Sequence, residues 1–163
     1  MTESAVVYTN ANDSETAAAE LSRKIADALP GGPPDALIVF ASARYQHGPF
    51  LRGLQDGCSP KVLVGASSAG EFTSEQRGQG LACALALRST EIRFSAGVGR
   101  GLSQDRVAVA SQIVSSFQGL GSRNHVYRSA LVMTDALAGH ADDLIDQLTL
   151  ATAGKYQIFG GGA

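Results

Sequence analysis

The run Ala36-Leu-Ile-Val-Phe-Ala41 limits the fold more than any other feature of this chain. Six consecutive apolar residues leave no polar face, so a strand built from them needs cover on both sides. Parallel sheets with helices packed on them meet that condition. Val62-Leu-Val64 and Leu131-Val-Met133 are shorter runs of the same kind. Helical periodicities alternate with these runs. Their apolar positions are Leu21, Ile25 and Ala28, then Phe50, Leu51 and Leu54. Val107, Ala110, Val114 and Phe117 form a third set, and Leu144, Ile145 and Leu148 a fourth. The pattern predicts one α/β domain over residues 1–163, with a mixed, mainly parallel sheet flanked by helices. All three apolar runs are expected inside that sheet.

Between these elements the chain is punctuated clearly. Ala5 to Tyr8 reads as a first strand, and Asn12, Asp13 or Ser14 can cap the helix after it, with Glu15 three residues past Asn12. Pro30-Gly-Gly-Pro-Pro34 ends that helix. In Leu81 to Leu87 the large residues share one face and Ala82, Ala84 and Ala86 the other, so the alanine face must lie against something close. Ile92, Phe94, Ala96 and Val98 alternate with polar residues, which predicts a half-exposed strand hairpinned to the previous one. Ser103 is a candidate cap for the third helix, with Asp105 in its first turn. Ile158-Phe159 reads as the last strand before Gly160-Gly-Gly-Ala163.

The chain also contains a weak internal repeat. Ala36–Gly70 and Ala130–Ala163 share one plan of apolar strand, polar loop, amphipathic helix, short strand and small residues. The anchors Phe50, Leu51 and Leu54 sit 94 positions before Leu144, Ile145 and Leu148. Any two strand–helix–strand units would share much of this plan.

Charge excludes several classes of function. The net charge is −2, and no segment carries a run of Lys or Arg. Nucleic acid and anionic membrane surfaces both call for such a run, so neither is an expected partner. The first ten residues lack the basic and apolar regions of a signal peptide, and the longest apolar stretch is too short to span a bilayer. Cys58 and Cys83 make no disulfide framework and are expected as reduced thiols, which points to the cytoplasm. His47, His125 and His140 have no metal-ligand spacing, and no metal or cofactor is expected.

The strongest candidate site is Gly65-Ala-Ser67-Ser68-Ala-Gly70-Glu71. Small residues let a ligand approach the backbone, and two hydroxyls add donors and acceptors. Gly97-Val-Gly-Arg-Gly101-Leu102 departs from the dinucleotide fingerprint at its third spacing. Arg44 follows the strand Ala36–Ala41 and could pair with a ligand carboxylate. A Ser67/His47/Asp135 triad can be assembled on paper, but the Gly-x-Ser-x-Gly elbow is broken at Ala69.

These residues give the chain a familial resemblance. A buried strand runs into Gly65-Ala-Ser-Ser-Ala-Gly-Glu71, and the small-residue strand Gly80–Leu87 comes next. Leu131-Val-Met-Thr-Asp135 and Gly160-Gly-Gly-Ala163 follow much later. Over about residues 36 to 163 this resembles the N-terminal domain of the FIST (F-box and intracellular signal transduction) family. The resemblance implies a non-enzymatic sensory domain in signal transduction that binds amino acids or related small carboxylates. Its ligand-binding residues would be Gly65, Ser67, Ser68, Gly70, Glu71, Asp135, Gly160, Gly161 and Arg44. A C-terminal FIST domain would be its partner in a longer protein. The end at Ala163, with no polar tail, likewise predicts a piece of such a protein. The competing reading is a hydrolase or acyl-transfer enzyme using Ser67 or Ser68. It requires a serine Oγ within hydrogen-bond reach of His47 or His140.

Overall fold

The computed structural model describes residues 1–162 and has the expected α/β class with a mixed sheet. The chain divides into two compact units, Met1–Phe94 and a second that starts at Ser95.

In the first unit the order is β1 (Thr2–Thr9), α1 (Ser14–Ala28), β2 (Ala36–Ser42), α2 (His47–Cys58) and β3 (Val62–Ser68). The small strands β4 (Glu71–Phe72) and β5 (Arg77–Gly78) follow, and then β6 (Ala82–Ser89). The main sheet has the order β1-β6-β2-β3. β2 and β3 are parallel, and β6 runs antiparallel to both of its neighbours. Leu37, Val39 and Ala41 of β2, with Ala82, Ala84 and Ala86 of β6, meet α1 and α2 in one core. The alanine face is therefore the helix face, as its small residues require. The helices themselves also approach closely. A methyl group on Gly53 would come within 2.7 Å of Ala18 Cβ, and one on Gly57 would meet Ser22.

Cover on both sides is only partly realised within this unit. Ile38 and Phe40 are half-buried on the face away from the helices, and Val6, across β6 from Ile38, is 58% exposed. β3 is an edge strand and half-buried, not an interior one. The predicted strand over 92–98 does not form. Both edges of β6 are already occupied by β1 and β2, so no ladder remains for it to join. Asp13 caps α1 through Thr16 N at 2.8 Å, so the capping box suggested by Asn12 and Glu15 is not used.

Two carboxylates tie elements of this unit together. Asp35 holds Lys61 at 2.7 Å and accepts from Ser89 N. Glu20 holds Lys24 at 2.7 Å and accepts from Thr9 Oγ1. The Lys61 ammonium first, and then the Ser89 amide, hold the Asp35 carboxyl below the usual carboxylate range. Lys24 and then Thr9 do the same for Glu20. A depressed folded-state pKa adds stability that is complete above the unfolded value and disappears as pH falls through the folded one. Urea midpoints are thus expected to fall between about pH 6 and pH 3, and Asp35→Asn should flatten that fall. An unchanged slope in Asp35→Asn would contradict this assignment.

The second unit has α3 (Arg106–Ser115), β7 (Ser129–Thr134), α4 (Ala141–Ala151) and β8 (Gln157–Gly162). β7 and β8 form a parallel two-stranded sheet of their own, so the run 131–133 lies outside the main sheet. Val109, Ala110, Val132, Leu144 and Leu148 make the core. The cap of α3 is Asp105, which accepts from Ala108 N at 2.9 Å, and not Ser103. Val107 points outward, 59% exposed, and Val109 takes the place expected for it.

β2-α2-β3 and β7-α4-β8 are two strand–helix–strand units of matching build. Gly65 pairs with Val39 in one, and Gly160 pairs with Val132 in the other. A side-chain carbon on either glycine would collide with the paired valine's carbonyl oxygen.

Candidate functional site

The segment read as a turn, Gly65 to Ser68, is strand. β3 continues through it, and Ala66, Ser67 and Ser68 pair with Phe40, Ala41 and Ser42. Gly160 to Gly162 is strand as well, paired with Val132 to Thr134. Glycine does not break the strand here; it removes a side chain where two backbones meet closely. Ala163 lies outside the described residues. Both small-residue stretches occupy the carboxyl ends of parallel strands.

In the first unit the chain turns only at Ala69-Gly70 before entering β4. Ser67 is exposed at the end of β3, and Gly70 is also exposed. Glu71 is 3% exposed, and both carboxylate oxygens are engaged. Oε1 accepts from Ser68 Oγ at 2.6 Å, and Oε2 from Leu81 N at 2.9 Å. Leu81 O in turn accepts from Ser42 N. Glu71 thus locks the end of β3 to the start of β6, and its bonds are directed inward. Arg44 Nη2 donates to the carbonyls of Asn10 and Ala11, and the guanidinium lies 4.8 Å from the Tyr45 ring centre. Buried Tyr45 donates to the same Ala11 carbonyl at 2.8 Å. Arg44 therefore fastens the loop after β1.

No histidine bonds Ser67 or Ser68 among the described residues. Ser68 has a carboxylate partner, and His140 lies 3.3 Å from Asp143 in the second unit. Burial, with Glu71 as a secondary cause, pushes the Cys83 thiol up, and burial does the same to Cys58. Both environments thus disfavour the thiolate form. Gly97 and Gly99 follow no strand and lie against α3, where added carbons would strike Ile113 and Val109. With Asp105 capping α3, that glycine run is a packing device and not a phosphate loop.

The second unit carries a cavity of about 320 Å³ at the carboxyl ends of β7 and β8. Gly160 and Gly161 line it, as do Thr134, Asp142 and Ile145. Asp135, singled out from the sequence, turns onto its own loop: Oδ1 accepts from Leu137 N at 2.9 Å. Thr134 and Asp142 were not singled out. A polar residue ending the run Leu131-Val-Met133 was the available signal for Thr134. Another cavity of about 320 Å³ lies at the start of α3, between Asp105, Arg106 and Asp146. Its Arg106 is paired with Asp143 at 3.2 Å. Among the described residues no group of His, Cys, Asp and Glu is placed to hold a metal ion. No helix among them is long and apolar enough to cross a membrane.

The sequence matches no curated protein. The family model described as the FIST N domain matches residues 35–163, from the start of β2 through both strand–helix–strand units. The chain therefore belongs to the FIST N-domain family, a family of sensory domains in signal transduction.

Proposed function

We propose that this chain is a small-ligand-binding sensory module whose ligand is an amino acid or a related small carboxylate. One observation carries the reading. Both parallel pairs end in small residues, Gly65–Ser68 and Gly160–Gly162, at the carboxyl ends of their strands. Open α/β sheets hold their ligands outside those ends. Gly65, Ser67, Ser68 and Gly70 offer backbone and hydroxyl groups in one unit. Gly160 and Gly161 line the cavity in the other, with Asp135 on the adjoining loop. Glu71 and Arg44 act from behind, by holding the first unit's strand ends in place. The module works in the cytoplasm, and a C-terminal FIST domain is its partner in signalling.

A thermal-shift screen of the chain against amino acids and small carboxylates tests this reading. A ligand at about 100 times its Kd adds about 2.7 kcal/mol to the native state. At least one compound is expected to raise Tm by several degrees. Failure of every compound at millimolar concentration would contradict the reading.

A further inference from the structure

Among the described residues, those of the β4–β5 hairpin after Glu71, residues 72–79, hydrogen-bond only within the hairpin. Phe72 pairs with Arg77, and Thr73 N donates to Gln76 O at 2.6 Å across the turn. Thr73 is half-buried and its neighbours in this stretch are exposed, Phe72 by 79%. A two-stranded hairpin with so little buried apolar contact is held mainly by its roots.

The roots are built differently from the rest. Glu71 is buried, and its carboxylate reaches Ser68 at the end of β3 and Leu81 just before β6. β2 lies between those two strands in the sheet, so the carboxylate crosses the end of β2. Gly80 is the other root. Its φ of +78° favours glycine, and its carbonyl lies 3.4 Å from the Tyr45 hydroxyl. Strand alternation puts Ser68, Phe40 and Cys83 on the sheet face away from the helices. Phe40 and Cys83 pair across the ladder and are half-buried. Burial first, and then the charge of Glu71, raises the Cys83 thiol, so the hairpin's buried root stands beside Cys83.

We propose that residues 70–80 form a lid, latched by Glu71 across the end of β2 and hinged at Gly70 and Gly80, that opens while the sheet stays folded. Its role rests on the ligand-binding reading above, since opening admits a molecule to the carboxyl ends of β2 and β3. Apparent affinity is then reduced by the fraction of time the lid is closed, so the latch tunes the response. The motion itself can be measured without a ligand.

Iodoacetamide labelling of the full chain, with each cysteine followed by peptide mass, is the test. Cys58 is the control thiol. It is also half-buried, and it bonds Ser22 at the end of α2 that leads into the start of β3. Ser68→Ala removes one bond of the latch and leaves the Glu71 charge beside Cys83 in place. It should speed labelling of Cys83 about tenfold and leave Cys58 within about twofold. Equal acceleration of both thiols, or none at Cys83, overturns the lid and leaves the ligand-binding reading to the thermal screen. A selective gain at Cys83 with a silent screen keeps the lid and defeats that reading. Should Ser68→Ala not fold, the urea dependence of Cys83 labelling in the wild type decides instead. A slope well below that of global unfolding supports the lid, and a slope equal to it overturns the proposal.

Discussion

Gly65→Ala and Gly160→Ala are each expected to cost about 3 kcal/mol of folding stability, the upper end of what overpacking does. In both cases the new methyl group would collide with the carbonyl oxygen of the valine paired across the parallel ladder. A side-chain tip can rotate away from such a contact, but a carbonyl in a ladder cannot move without breaking it. Gly160 has a second obstacle, because its φ of +149° is one that residues with side chains rarely adopt. Total stability of a small domain is only about 5–15 kcal/mol, so either change removes a large share. Gly161→Ala is the internal control. A carbon there meets nothing within 4 Å, and the change should stay within about 0.5 kcal/mol. Urea unfolding of the three variants checks the set. A Gly65→Ala protein with the wild-type midpoint would contradict the close approach of β2 and β3.

Glu71→Ala should cost about 3 kcal/mol as well, through polar bonds and not through packing. The carboxylate satisfies Ser68 Oγ and Leu81 N together, and Leu81 N is buried. Alanine leaves both donors without a partner. Glu71→Gln keeps an acceptor oxygen for Leu81 N and can donate its amide to Ser68 Oγ, which turns from donor to acceptor, so about half the loss or less is expected. Amide exchange at Leu81 is the specific readout, since that amide should lose protection before the helices do. Wild-type protection at Leu81 in Glu71→Ala would show that the carboxylate does not fasten the strand ends.

Much of the fold was legible in the sequence, for a physical reason. Ala36–Ala41 is the strand its apolar run predicts, although one face is only half-covered, and the alanine face of Leu81–Leu87 called for something close, which α1 and α2 supply. Topology was harder to read. A strand over Ile92–Val98 was plausible by alternation alone, but alternation cannot reveal that both edges of β6 are already paired. The glycine stretches were found and their place at strand ends was right. Their local structure was misread because a missing side chain serves a tight ladder as well as a turn. Glu71 stands out in the sequence as the end of the small-residue motif, and Arg44 as a cation that follows the strand Ala36–Ala41. Sequence does not reveal that their partners are Leu81 N and the Asn10 and Ala11 carbonyls, which come from distant parts of the chain. Thr134 carried little signal beyond its place as the polar residue that ends Leu131-Val-Met133, and the burial of its hydroxyl without a partner is visible only in the structure.

The most direct test of ligand binding at the strand ends is an amide-resolved NMR titration of the full chain with a compound that raises its Tm. The shifted amides are expected to cluster at the carboxyl ends, within Gly160–Gly162 and His140–Asp143 or within Gly65–Gly70. Shifts confined to the opposite ends of the strands, such as Asp35, Lys61 or Arg128, would contradict the account.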